Sequence, residues 1–419
     1  MDQKRDLFHI FESAIESVRP SVLFPRILAK PSIPGLADWV ASENRYLLTL
    51  GKASISSAQS ILAHYSCKDT FVLGPSNAET AARGLTGVYF GNHPVPDQRS
   101  LEAAGKLVSW LQTLPAGADL LIVLSGGTSA LLALPPQGVS LESKMTVSKL
   151  LIRSGASIHE INSVRKHLSA VKGGQLAGAI SGVRATALVI SDVIGNDLST
   201  IGSGPFYPDP STFATAQSVL NKYGLWNQVP ADIRRHIESG IAGRVAETLK
   251  KAPPVPHTII ASNELACGQA AETASALGYT AQVISGVSGP VETVAERILS
   301  LLEGNSPQSA LILGGEATVH VRGNGTGGRN QHLALLLTER ISGKNITFAA
   351  IGTDGIDGNS PAAGAWIDGR TAGDAAQQGL SIERALAEFD SFPFFSKLNH
   401  SIMTGPSGTN VMDLYIALT

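Results

Sequence analysis

Leu120-Leu121-Ile122-Val123-Leu124, followed at once by Ser125-Gly126-Gly127-Thr128-Ser129, is the stretch that decides how the rest of the chain reads. Five apolar residues in a row are short enough for a strand and too continuous for one half exposed to water, which predicts the middle of a parallel sheet. The small residues after it let backbone N–H groups gather around an anion, and Ala130-Leu131-Leu132 is read as the start of a helix whose N-terminus adds a positive dipole end. Ser125, Gly126, Gly127 and Ser129 are therefore candidate phosphate-binding residues.

Downstream, Ile158, Ile161, Val164, Leu168 and Val171 recur at helical spacing, which leaves Asn162, Arg165, Lys166 and Lys172 on or near the opposite face. Upstream, Tyr46–Leu50 reads as a strand ending in Gly51-Lys52-Ala53-Ser54. Ligands of open α/β sheets sit beyond the carboxyl ends of strands, so Lys52 is placed to meet phosphate, although a surface lysine at a turn reads equally well. It lies outside a Walker A pattern. His93, in the proline-fixed loop Asn92–Asp97, reads as a substrate ligand or as a loop-stabilising hydrogen-bond partner. Ala185–Ile190 is another buried strand delivering Asp192, an acidic residue suited to Mg²⁺ shared with phosphate oxygens, whereas Asp197 reads as a cap.

With 419 residues, 43% hydrophobic and 16% charged, the chain is long enough for two packed domains. A net charge of −2 gives no footprint for nucleic acid or an anionic membrane, and no apolar stretch approaches a spanning helix. Cys67 and Cys267 stand far apart, which argues against zinc, redox and disulfide roles. The amphipathic start at Leu7, Ile10, Phe11, Ala14, Ile15 and Val18 predicts a first helix rather than a signal core, and hence a cytoplasmic protein. Lys250 to Pro256 reads as a linker between an N-terminal domain (1–250) and a C-terminal region (257–419).

The C-terminal region carries two more glycine loops. Gly323, Gly325 and Gly328 formally satisfy GxGxxG, but the preceding Val319-His320-Val321-Arg322 alternates as a half-exposed strand does, which disfavours a dinucleotide site. Gly327, Gly328 and Asn330 are instead read as phosphate contacts and Arg329 as a cation for phosphoryl oxygens. Asp354, in Thr353-Asp354-Gly355-Ile356-Asp357-Gly358, reads as a metal ligand, a base, or a plain Asp-Gly turn.

Taken together, Gly51-Lys52-Ala53, the 92–97 loop, the run from Ser154 to Ala177, Ser191-Asp192-Val193 through Pro205, Gly314-Gly315-Glu316, Gly327 to Gln331, Thr353 to Gly358 and Gly408 to Val411 resemble the MOFRL-type glycerate kinases over nearly the whole chain. The resemblance implies a Rossmann-like three-layer α/β domain, a C-terminal α/β region with a MOFRL domain at about 308–415, and an active site in the cleft between them. It implies ATP-dependent formation of 2-phosphoglycerate from D-glycerate, with Lys52 and Arg329 catalytic. Three departures stand out: Thr128 where a third glycine is usual, His332 where Glu often follows Asn-Gln, and Ser407 where Thr is common.

On this reading Asp192 and Asp354 are the expected Mg²⁺ ligands, and either one the alternative base. Arg165, Lys166, Asn162 and His93 are the expected substrate contacts. ATP and D-glycerate are the expected partners, with a homodimer as the assembly to test. A nicotinamide-dependent hydroxypyruvate reductase, a kinase for another hydroxy acid and a non-catalytic anion-binding module are the rivals.

Overall fold

The structure, a computed structural model, describes residues 2–251, 255–304 and 306–419. It divides into two compact units, 24–260 and 1–23 with 261–419.

In the first unit, β1 (Arg45–Leu50), β2 (Asp69–Pro75), β3 (Val88–Gly91), β4 (Asp119–Leu124), β5 (Arg184–Ile190) and β6 (His257–Ala261) form one sheet in the order β3-β2-β1-β4-β5-β6. The pairs β1/β2, β1/β4, β2/β3 and β4/β5 are all parallel. All six residues of β4 are buried, as its apolar run requires, and Ile122 pairs with Leu48 on one side and Ala187 on the other. The order reverses direction between β1 and β4, so the loops leaving these two strands diverge and open a crevice at their carboxyl ends. A second core lies where the helices Leu141–Arg153 and Ile158–His167 bring Val147, Leu151, Ile161 and Val164 together with Phe213, Leu220 and Ile237.

In the second unit, β7 (Thr280–Pro290), β8 (Ser309–Thr318), β9 (Thr347–Gly352), β10 (Gly364–Asp368), β11 (Ser401–Ile402) and β12 (Asp413–Leu418) form a mixed sheet ordered β11-β10-β9-β12-β8-β7. Only β7/β8 is parallel, while β12 runs antiparallel to both β8 and β9 at the centre. The helix Gln3–Val18 buries Leu7, Ile10, Phe11, Ala14, Ile15 and Val18 in this unit, against the helix Asn263–Ala276. Tyr279 donates to Asp6 at 3.0 Å and Thr273 to Ser13 at 2.8 Å, fixing that helix in place.

Two features differ from the reading by sequence. Periodicity identifies the first helix but says nothing about which sheet its apolar face covers, and that face packs on the C-terminal half. His257–Ala261 is the sixth strand of the first sheet rather than the start of the second domain; Ala187 N–H donates to Pro256 O at 2.9 Å. Ala252, Pro253 and Pro254 of the expected linker lie outside the described residues. No helix among the described residues is long and apolar enough to cross a membrane.

Candidate functional site

The loops leaving β1, β3, β4 and β5 converge at the switch point. Lys52 N–H donates to Gly126 O at 2.8 Å and Ala53 N–H to Ser125 Oγ at 3.1 Å, which ties the Gly51-Lys52 turn to the loop after β4. A Cβ on Gly51 would meet Ser125 Oγ at 2.3 Å, so only glycine allows the two turns to approach this closely. Ser125 is fully buried and its hydroxyl donates to Leu50 O at 3.0 Å, which makes it a brace rather than a ligand contact.

Gly126 and Gly127 face functional side chains directly. A Cβ on Gly126 would lie 1.9 Å from Asp192 Oδ2, and one on Gly127 would lie 3.1 Å from both His93 Cδ2 and Lys52 Cγ. Lys52, His93 and Asp192 thus sit against one glycine pair. Among the described residues, the backbone N–H groups of Gly126, Gly127 and Thr128 are committed to no acceptor. The helix expected after them is one turn, Thr128–Leu131, too short for its dipole to matter much, so the loop's own amides are what it offers an anion. Thr128 does not disturb it. Its hydroxyl donates to Ser125 O at 2.7 Å and its methyl packs on Gly202.

A polar chain leads away from this loop. Lys172 Nζ donates to Ser129 O at 2.9 Å and Ser129 Oγ at 3.2 Å, Ser129 Oγ meets Ser203 Oγ at 3.0 Å, and Ser203 Oγ donates to Asn162 Oδ1 at 3.3 Å. Asn162 joins the site through Ser203. Asn162, Lys166 and Lys172, placed by periodicity on or near the face opposite the apolar stripe, are all buried. Lys166 is diverted to buried Asp209 at 3.4 Å, so its charge is spent inside the unit, while Arg165 keeps no such partner among the described residues. Asp197 accepts from Ser199 N–H at 2.9 Å and Thr200 Oγ at 2.6 Å, the structural role expected of it.

The second unit uses its glycines differently. Val319–Arg322 forms no strand, and β8 instead runs straight through Gly314-Gly315-Glu316 to Thr318. Cβ atoms on Gly323 and Gly325 would strike the backbone of Glu388 and Asp390 at 2.2 and 2.6 Å. Gly327 N–H donates to Asn359 Oδ1 at 2.8 Å, and Asn330 N–H and Gln331 N–H donate to Asp357 at 3.1 and 2.9 Å. A Cβ on Gly328 would lie 2.3 Å from Asp357 Oδ1, so Asp357 closes the start of the helix Arg329–Thr338 and occupies the place expected for phosphate at Gly327, Gly328 and Asn330. Burial, opposed by those N–H groups and reinforced by Asp413, pushes Asp357 up to about 6.

Arg329 does not project into open space. Its Nε and Nη2 donate to the two oxygens of fully buried Asp413 at 2.5 and 3.0 Å, and Nη1 reaches Glu316 at 2.7 Å. Burial works to lower its pKa, but the paired carboxylates outweigh it and hold the guanidinium firmly charged. Its side chain remains 34% exposed, so the fixed cation still has a face to solvent. Asp354 accepts from Ile356 N–H at 3.2 Å within its own turn. Ser407 donates to Thr353 O at 2.6 Å, and His332 stacks on Phe389 with centroids 4.8 Å apart, so both departures are packing choices. A cavity of about 610 Å³ lies at the far end of this sheet, between Lys4, Lys344, Asp368 and Arg370 and away from Arg329.

Asp413 and Lys144 escaped the reading by sequence. Asp413 opens the otherwise apolar Asp413–Leu418, and an acid at the head of a buried strand demands a cation. Lys144 shares the buried stripe of its helix with Val147 and Leu151, the place of an apolar residue.

Known proteins give the geometry a context. The family described as MOFRL matches residues 309–413, and a domain of unknown function (DUF4147) matches residues 6–238. A Glycerate 2-kinase of Pyrococcus horikoshii is 38% identical, covering 89% of this chain and 87% of that protein. A D-glycerate 2-kinase of Thermotoga maritima is 35% identical over 97% of both, and a human Glycerate kinase is 32% identical over 97% of this chain and 91% of its own length. A crystal structure of glycerate kinase from Thermotoga maritima superposes with a TM-score of 0.88 at 33% identity, covering 99% of each chain. With these relatives aligned along nearly its full length, the chain belongs to the MOFRL-type glycerate kinase family.

Proposed function

We propose that the protein transfers the γ-phosphoryl group of ATP to D-glycerate, giving 2-phosphoglycerate. The observation that carries this reading is the loop 126–128, whose uncommitted amides lie against Lys52, His93 and Asp192 at a topological switch point. Phosphoryl transfer asks mainly for position and charge: amides hold phosphate oxygens, and Lys52 neutralises charge as it spreads onto the transferred group. In the other unit Arg329 is the candidate cation: Asp413 fixes its orientation through two bonds, and Nη1, paired with half-exposed Glu316, is the nitrogen left to meet an anion.

The carboxylate of Asp192 against the phosphate loop is a hard oxygen donor that suits Mg²⁺. The described residues hold no cluster of three or more metal-ligating side chains, so such an ion takes its other ligands from phosphate oxygens and water. Bound there, Mg²⁺ would screen phosphate charge. A reductase is disfavoured because the GxGxxG glycines press on backbone rather than leave room for a pyrophosphate.

Phosphorus NMR of the full chain with Mg-ATP and D-glycerate tests the assignment. A 2-phosphoglycerate signal is expected, and Lys52→Met is expected to reduce turnover by about 10³-fold, the scale of a lost charge-stabilising group. A 3-phosphoglycerate product would correct the acceptor hydroxyl, and NADH consumption with hydroxypyruvate in place of phosphoryl transfer would overturn the kinase.

A further inference from the structure

Beyond the loop, the first unit gathers cations without carboxylates. Lys144 is buried to within 6% of full enclosure and its Nζ has no hydrogen-bond partner among the described residues. Val147, one turn along the same helix, shares a core with Ile161 and Val164, so Lys144 lies on the face turned toward the helix Ile158–His167, which carries Asn162 and Arg165. Lys172 lies close enough to Lys144 and Arg165 to feel both charges, and among the described residues its Nζ donates to neutral oxygens of Ser129. No carboxylate of the described residues lies within ion-pair distance of Lys144, Arg165 or Lys172; Asp209, the buried acid nearby in sequence, is taken by Lys166.

Burial followed by the charge of Arg165 pushes Lys144 down to about 7, and burial followed by Lys144 and Arg165 holds Lys172 well below its ordinary value. Burying unpaired ammonium groups side by side is costly, and an anion that enters between them removes the cost. The position limits what that anion is. Ser129 joins the cationic seam to the 126–128 amides, so an acid held at Lys172 brings its carbon chain toward the phosphate loop past the hydroxyls of Ser129 and Ser203 and the amide of Asn162.

We propose that Lys144, Arg165 and Lys172 form the seat for the carboxylate of the hydroxy-acid substrate, with Lys166 outside it. The assignment rests on the kinase reading and refines its substrate site: three cations favour a compact carboxylate, and the neighbouring hydroxyls suit a molecule with a hydroxyl close to it.

Lys144→Met tests the seat. The KM for D-glycerate is expected to rise by about tenfold or more while the KM for ATP stays within about twofold, the split expected when one charged contact to a single substrate is lost. Calorimetric affinity for D-glycerate without nucleotide should fall by the same factor. Removing an unpaired buried ammonium should not lower the melting temperature, which separates loss of binding from loss of fold. In the wild type, propionate should compete with D-glycerate and not with ATP, a result that does not depend on any variant folding. An unchanged KM for D-glycerate in Lys144→Met, or a rise in the KM for ATP instead, would overturn the seat. So would inorganic phosphate competing with D-glycerate where propionate does not. Wild-type turnover of D-glycerate is measured alongside, so a seat that fails in an active kinase is told apart from a protein that is no glycerate kinase.

Discussion

Two glycine loops of this chain look alike as sequence and do opposite work. In Ser125-Gly126-Gly127-Thr128-Ser129 the amides of Gly126, Gly127 and Thr128 have no acceptor among the described residues, and Lys52, His93 and Asp192 lie against its glycines. Gly323 to Gly328 presses its glycines onto Glu388, Asp390 and Asp357 and spends its amides on Asn359, Asp390 and Glu388. Glycine leaves room beside charged and polar side chains in the first and allows close backbone packing in the second. The lesson is that a missing Cβ makes room, and only the surrounding groups decide what fills it.

Placing a methyl group in each loop should separate the two roles most strongly. In Gly126→Ala the new Cβ displaces the Asp192 carboxylate, and kcat/KM should fall by about 10²-fold, the scale of a small misplacement at a reacting centre, with stability changed by under about 1 kcal/mol. In Gly323→Ala the Cβ meets the rigid carbonyl of Glu388, and stability should fall by about 1–3 kcal/mol from overpacking while the remaining folded enzyme keeps its kcat. Denaturant unfolding and steady-state kinetics on both variants check this. Equal losses of activity and stability in both would dissolve the distinction.

Asp357 gives a smaller, sharper test of the structural loop. Asp357→Ala strands the four N–H groups of Asn330 and Gln331 that now donate to it, and unfolding should become easier by about 2–4 kcal/mol. Its titration adds a pH signature. The folded value of about 6 lies above the ordinary 3.8, so the folded state holds more protons between the two, and the contribution of this group is full below about 3.8 and lost as pH rises through about 6. Urea midpoints measured from pH 4 to 7 should show this decline in the wild type and lack it in Asp357→Ala.

Much of the first unit was legible in its sequence. β4 announces itself because the five apolar residues Leu120 to Leu124 run without a polar break, and the loops after β1, β3, β4 and β5 each carry a chemical group at a strand end. Topology was the part that residues alone do not encode: nothing in Leu7 or Phe11 says which sheet they cover, and His257–Ile260 reads as a strand without naming its neighbours. The site was half legible for a related reason. Sequence marks a charge but hides its partner, so Lys166 and Arg165 look equivalent until Asp209 claims one of them, and Arg329 looks available until Asp413 takes both of its inner nitrogens. Lys144 was hidden by its own helix, where its spacing is that of an apolar residue.

Hydrogen exchange of the full chain, read by mass spectrometry with and without Mg-ATP and D-glycerate, tests the contrast most directly. The amides of Gly126, Gly127 and Thr128 should exchange quickly in the free protein and become protected when both substrates are present, because they lack acceptors among the described residues. The amides of Gly325, Thr326 and Gly327, each with an acceptor, should be protected throughout. Protection that appears on 323–328 while 125–129 stays unchanged would contradict the assignment of the phosphate site to the first unit.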